Sequence, residues 1–373
     1  MTQPTLLSPP SRFVYIGTYT EPLDFVDGQG EGIYSYMLDG ESGELHPANP
    51  VTTGLTNPSY LTLDPHHRYL YAVQETDNWS PDAPAVYAFA VEPESGVLRF
   101  LNQQPAYGEA PCHITTDNTG RWLLVANYGT GTVALYPVLE DGRLGSATDI
   151  AHHEGSSINA DRQTGPHAHH VLVDATNRYV FVADLGLDKI MVYRLDSIQG
   201  RLIPHDPPFA TIHAGAGPRH LAFHPSGRYL FVLNELDATL VTLAHTEGRL
   251  TPVQIISTLP AGAEARPSCA AIRVAPSGRF IYTSNRGHDS IALFAVDETT
   301  GRLTDLGHEP TGGQTPREIV IDPSGTFLLA ANQDSHTIVT FRLDVDTGHI
   351  RPVGSVASIP SPVCVAFGQQ YPA

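Results

Sequence analysis

The chain has 373 residues, with 21 Lys+Arg against 39 Asp+Glu and a net charge of −18. Its only lysine is Lys189, so it lacks the basic face that nucleic acid or an anionic membrane surface requires, and neither partner is expected. Gly 33 and Pro 31 are too frequent for a helical protein, while 41% hydrophobic residues exclude disorder and can build a large core.

Met1–Pro10 holds only the apolar pair Leu6-Leu7. It has neither the basic start nor the apolar stretch of a signal peptide, and no later run reaches membrane-span length. Cys112, Cys269 and Cys364 are odd in number and far apart. These features predict a reduced, cytoplasmic protein. Asn78-Trp79-Ser80 is formally a glycosylation sequon, which carries no weight without an export signal. Residues 1–11 read as an N-terminal extension and 12–373 as one domain, because no linker or composition shift interrupts the chain.

The predicted elements begin with two strands, RFVYIGTYT (12–20) and GIYSYML (32–38). From residue 57 a phrase then recurs: a proline, an alternating apolar strand, a turn such as Asp-Pro-Ser-Gly, and an aromatic-led apolar strand. Its copies are 57–75, 110–128, 165–185, 217–235, 266–286 and 315–333. A truncated seventh copy, SPVCVAFG, occupies 361–368. Each full copy is followed by a third strand, such as AVYAFAV (85–91) or SIALFAV (290–296), a Gly-x-Leu turn and a fourth strand. Four strands in about 50 residues, seven times over, predict an all-β, seven-bladed β-propeller with four-stranded blades. The last blade would take three strands from the N-terminus and its innermost strand from the C-terminus, leaving no open edge.

In each blade the start of the first strand and the end of the second are neighbours across one hairpin, so both open on one face of the disc. The leading slot, just after the proline or five residues before the turn aspartate, holds Ser59, Cys112, Arg219, Arg317 and Val363. Two copies carry two extra residues, so the leading slot of the third is His167 or His169 and that of the fifth is Ser268 or Ala270. The closing slot, at the end of the second strand, holds Tyr19, Glu75, Tyr128, Leu185, Glu235, Arg286 and Gln333. Acid/base groups and cations therefore converge on one mouth, as an anionic substrate would require.

Arg219 and Glu235 should face one another, as a structural ion pair or a catalytic one; their place at the shared mouth favours the second. Arg286 and Arg317 read as anion-binding cations or rim charges. His167-Ala168-His169-His170 could ligate metal because alternate strand residues share a face, but an acid/base or substrate-binding role is simpler, and no metal or cofactor is expected. The cysteines read as buried small hydrophobes, with Cys112 as the only thiol worth weighing as a nucleophile. His152-His153 and His66-His67 read as solvent-facing loop residues. No phosphate loop, nucleophile elbow or dinucleotide fingerprint is present.

FVYIGTYT, NADRQTGPHAHHVLVD, GAGPRHLAFHPSGRYLFVLNEL and YTSNR together resemble the seven-bladed propeller lactonase family, from about residue 12 to 368. That family includes bacterial propeller-type 6-phosphogluconolactonases and is related to the fungal carboxy-cis,cis-muconate cyclase. The resemblance implies a catalytic set of His167, Arg219, Glu235 and Arg286, and it favours His167 over His169 for the family histidine. The expected substrate-binding set is Arg317, His169, His113, Gln333, Arg162 and Gln163. The implied reaction is hydrolysis of a sugar-acid lactone, 6-phosphogluconolactone first, with His167 and Glu235 sharing the general base and acid roles. A cycloisomerase acting on a muconolactone, or a propeller that binds without chemistry, are the alternatives. A monomer or weak homo-oligomer is expected.

Overall fold

A computed structural model describes residues 10–77, 83–263 and 268–370. The sequon at 78–80 lies outside them. The described residues form seven four-stranded antiparallel sheets and no helix. The sheets are arranged as the blades of a seven-bladed β-propeller. Each of blades one to six takes four consecutive strands. Blade seven joins Pro362–Gln370 as its innermost strand to Arg12–Thr18, Ile33–Leu38 and Leu45–Thr52, in register Tyr15↔Ala366 and Tyr15↔Ser35. The predicted ring closure is therefore present.

The repeated phrase has a physical purpose at each point. The turn carboxylate locks its own hairpin: Asp117 Oδ1 accepts the backbone N–H of Arg121 and of Trp122, and Asp322 Oδ1 accepts those of Thr326 and Phe327. Aromatic residues at the second strand tie several blades to the ones that follow. Tyr15 donates to the Gly96 carbonyl, Tyr71 to Gly142, Trp122 to Ser197, Tyr229 to Thr299 and Tyr282 to Gly348. The acceptors lie in the Gly-x-Leu turns of the following blades. Between the sheets the core is built from apolar side chains of facing blades, such as Leu124, Val133 and Leu135 against Val171, Val180 and Val182.

Register explains the two long copies. Pro111, Pro218 and Pro316 pair with Asn127, Asn234 and Asn332; in blade three the residue in that position is Ala168, opposite Asp184. Pro166 is thus displaced from the repeat. In blade five the equivalent residue is Cys269, opposite Asn285. After this pair the inner strand bulges. One residue, respectively Cys112, His169, Arg219 and Arg317, is left without a partner in blades two, three, four and six, and Ala270 and Ala271 are bulged in blade five. A bulge re-aims a side chain, and here it frees the leading slots of these five blades from the ladder. The slots of the long copies are those counted back from the turn, His169 and Ala270.

Candidate active site

Three slots, those of Arg219, Glu235 and Arg286, and one loop residue, Arg162, supply the centre. Glu235 closes the second strand of blade four, and its backbone N–H is held by the Gly217 carbonyl at 2.7 Å. Its carboxylate receives three guanidiniums. Arg219 Nε lies 3.0 Å from Oε2, Arg286 Nη2 3.0 Å from Oε2, and Arg162 Nη2 2.8 Å from Oε1. Burial pushes the Glu235 carboxyl up, but Arg286, Arg219 and Arg162 together outweigh it and hold it well below the usual carboxylate range. Glu235 is therefore a fixed anion with no proton to give and little basicity.

The three arginines reach it differently. Arg219 is buried, and its Nη1 also donates to His220 Nε2 and the Ala270 carbonyl. Arg286 is fastened to blade five, with Nε on the Ser268 carbonyl at 3.0 Å and Nη2 on Ser268 Oγ at 2.7 Å. Burial pushes its guanidinium down to about 10 against the pull of Glu235. Arg162 comes from the loop between blades two and three and also donates to the Tyr128 hydroxyl at 3.1 Å. The loop is set by its neighbour. Gln163 is fully buried and spends both amide protons, on the Leu185 carbonyl and on Asp188 Oδ1, each at 2.8 Å. Gln163 thus braces the loop that presents Arg162, and its amide protons are not available to a ligand.

Arg317 stands apart from Glu235. Its Nη2 donates to the Tyr19 hydroxyl at 2.7 Å, and its guanidinium lies 5.2 Å from the ring centres of both Tyr19 and Phe25. Tyr19 in turn donates to Glu75 Oε2 at 3.0 Å, and Ser59 donates to the same oxygen. The mouth thus holds four guanidiniums and two carboxylates, a local excess of two positive charges in a chain of net charge −18.

The two histidines divide. His167 is half-buried, stacks on Tyr128 at 4.3 Å, and places Nδ1 2.8 Å from the Tyr128 carbonyl. A carbonyl only accepts, so Nδ1 carries the proton and Nε2 presents a lone pair. The His167 backbone N–H is clamped by Asp184 Oδ1 at 2.8 Å, and Asp184 Oδ2 is held by His153 Nδ1 at 2.6 Å. His153 is therefore buried, contrary to the solvent-facing position expected; His152 is exposed as expected. Blade three covers His153: Asp184, at the end of the second strand, holds its Nδ1, and the Tyr193 ring of the third strand stacks on it at 6.2 Å, both remote in sequence.

His169, in the bulge, sits deeper. It joins His113, His170 and His220 in a buried tier of imidazoles, with ring centres 3.8 Å apart for His113 and His170, 4.7 Å for His170 and His220, and 5.6 Å for His169 and His220. Burial holds all four well below the ordinary histidine range. The rings meet face and edge; among the described residues no group of three or more His, Cys, Asp or Glu is arranged to hold a metal ion. Gln333 is buried, donates to Asp334 Oδ1 at 2.8 Å and leaves Oε1 without a partner. The three cysteines are buried and free, and burial pushes the Cys112 thiol up, so it is a poor nucleophile.

A model of the family described as lactonase, 7-bladed β-propeller, matches residues 13–367. The chain belongs to the seven-bladed β-propeller lactonase family. It is 37% identical to a 6-phosphogluconolactonase of Bacillus subtilis strain 168, over 95% of this chain and 98% of that one. A 6-phosphogluconolactonase of Formosa agariphila is 34% identical, over 83% and 86%. Among solved structures, the periplasmic gluconolactonase of Pseudomonas aeruginosa superposes with a TM-score of 0.90 at 32% identity, covering 96% of this chain and 99% of that one. The lactonase is thus a lactone-hydrolysing enzyme, a carboxylic ester hydrolase. Among its described residues no helix is long and apolar enough to cross a membrane.

Several residues of this lactonase mouth escaped selection from the sequence. Tyr19, Glu75, Tyr128 and Ser59 occupy the slots, and the hydroxyl network that joins Tyr19, Ser59 and Glu75 depends on contacts between blades. Asp184 had a visible signal: it stands where the repeat places Asn127, Asn234, Asn285 and Asn332.

Proposed function

We propose that this lactonase hydrolyses a sugar-acid lactone, with 6-phosphogluconolactone, opened to 6-phosphogluconate, first among its substrates. The observation that carries this reading is the local positive excess at one mouth of an acidic disc, beside a histidine with an available lone pair. The names of the relatives point the same way. Water attacks the ester carbonyl as His167 Nε2 takes its proton. The developing oxyanion is met by Arg219 and Arg286, whose Nη2 and Nη1 respectively have no acceptor among the described residues. The intermediate collapses, the ring oxygen leaves, and His167 returns the proton to it. Glu235 moves no proton; it gathers and orients the cations. Arg317 and the half-exposed Arg162 hold the phosphate.

The test is an assay of the purified protein with 6-phosphogluconolactone and with its unphosphorylated counterpart, corrected for spontaneous hydrolysis. Turnover of both is expected, with higher kcat/KM for the phosphorylated lactone, and a loss of at least about 100-fold in His167→Ala and Arg219→Ala. Wild-type rates in both variants would overturn the site. Conversion of a carboxymuconate without turnover of either lactone would overturn the reaction.

A further inference from the structure

The two carboxylates of the mouth are built differently. Glu235 meets three guanidiniums directly. Glu75 meets neutral hydroxyls: Tyr19 at 3.0 Å and Ser59, both on Oε2. Arg317 attracts it from a distance and is joined to it by hydrogen bonds only through the Tyr19 hydroxyl. Among the described residues nothing donates to Glu75 Oε1, and the side chain is half-buried. Glu75 and Ser59 are the closing and leading slots of blade one, and Tyr19 closes blade seven, so the group opens on the same face as His167 and Glu235. Phe25, 53% exposed, meets Tyr19 edge-on with ring centres 5.5 Å apart.

We propose that Glu75, with Ser59, Tyr19 and the face of Phe25, forms a subsite for the hydroxyl groups of the substrate and makes the mouth selective for polyhydroxylated lactones over plain aliphatic ones. This rests on the lactonase reading above and adds the residue that sets its substrate class. A carboxylate oxygen with no donor of its own accepts strongly from hydroxyls. It repels phosphate and carboxylate, so the subsite takes the neutral, hydroxylated side of the ring and leaves the anionic group to the guanidiniums. The exposed Phe25 ring gives the apolar face of the sugar a surface to lie on. A lactone without hydroxyls leaves Glu75 Oε1 desolvated and unpaired, which is the arrangement that rejects an analogue most effectively.

The experiment compares gluconolactone with δ-valerolactone, the same six-membered ester without hydroxyls, in the wild type, Glu75→Gln and Glu75→Ala. A charge-assisted hydrogen bond lost to the substrate lowers kcat/KM for gluconolactone by about 10- to 100-fold in Glu75→Ala, carried mainly by KM, with a smaller loss in Glu75→Gln. The rate on δ-valerolactone does not fall, and rises in Glu75→Ala because no unpaired carboxylate is left to be desolvated. An equal loss on both lactones, or no loss on either, overturns the proposal. If the wild type turns over neither of these lactones nor 6-phosphogluconolactone, the lactonase reading has failed by itself. Gluconate binding measured by calorimetry then decides the subsite. It stands if Glu75→Ala binds at least 10-fold more weakly than the wild type, and it falls if the two bind alike.

Discussion

Arg219 Nε and Glu235 Oε2 lie 3.0 Å apart, with each side chain 5% exposed or less. Taking either ion out of water is costly, and the pair persists because Arg286 and Arg162 share the carboxylate and complete its coordination by donors. The relationship makes Glu235 an organiser of charge, and it leaves proton transfer to His167.

Neutralising that organiser should be expensive. Glu235→Gln leaves three guanidiniums facing one another without their anion. We expect a loss of about 3 kcal/mol in unfolding free energy and at least a 100-fold fall in kcat/KM. Urea unfolding monitored by tryptophan fluorescence measures the first. The pH dependence has a defined sign. Because the folded-state carboxyl is held below its ordinary value of 4.5, its contribution to stability is complete above that value and is lost as pH falls through the lowered one. The wild type should therefore lose stability below pH 4.5 faster than Glu235→Gln.

The imidazole tier predicts an effect at milder pH. His113, His169, His170 and His220 are all held below 6.5 by burial, so they stay neutral in the folded protein while the unfolded chain protonates them. The unfolded state binds more protons, so stability falls as pH drops below 6.5. Each histidine that stays neutral contributes about 1.4 kcal/mol per pH unit to that slope. Melts at pH 5, 6 and 7 should show the slope, and His170→Phe should reduce it by the share of one group.

Asp184 should act through His167. Removing its carboxylate in Asp184→Ala frees the His167 backbone N–H and strips His153 of its partner. We expect kcat to fall by about 10-fold with KM little changed, since substrate binding groups lie elsewhere at the mouth. Asp184→Asn, which restores the residue type of the other blades, should retain more of kcat because its amide oxygen can still accept the backbone N–H. Steady-state kinetics on the two variants separates positioning from a general loss of structure.

The glycine turns between third and fourth strands should be intolerant. Gly142 has φ +82° and a Cβ there would lie 2.1 Å from the Tyr69 ring; Gly348 has φ +77° and would meet Phe280 at 2.3 Å. Alanine at either position combines a left-handed backbone with a clash against an aromatic of the preceding blade. A destabilisation of about 1–3 kcal/mol follows, read as a lower Tm, with the activity of the folded fraction unchanged because both turns lie far from the mouth.

The sequence by itself determined the ring. Period-two alternation, the Asp-Pro-Ser-Gly turns and seven copies of one phrase specify which residues pair, because hairpin register follows from local pattern and turn chemistry. The slots follow from the same repetition, which alone places Arg219, Glu235, Arg286 and Arg317 at one mouth. How those charges are shared depends on contacts between blades. Arg162 reaches Glu235 across 73 residues, and His153 reaches Asp184 across 31. That blade three presents His169 as its leading residue is invisible to a count from Pro166, since the two extra residues of that copy displace the proline and put Ala168 in the pair opposite Asp184. Electrostatic roles depend on distance and burial, and these are set when blades remote in sequence meet at the axis. Glu235 and Glu75 look alike in the repeat; one is fixed by three cations and the other keeps a free oxygen only because of which neighbours the closed ring brings beside them.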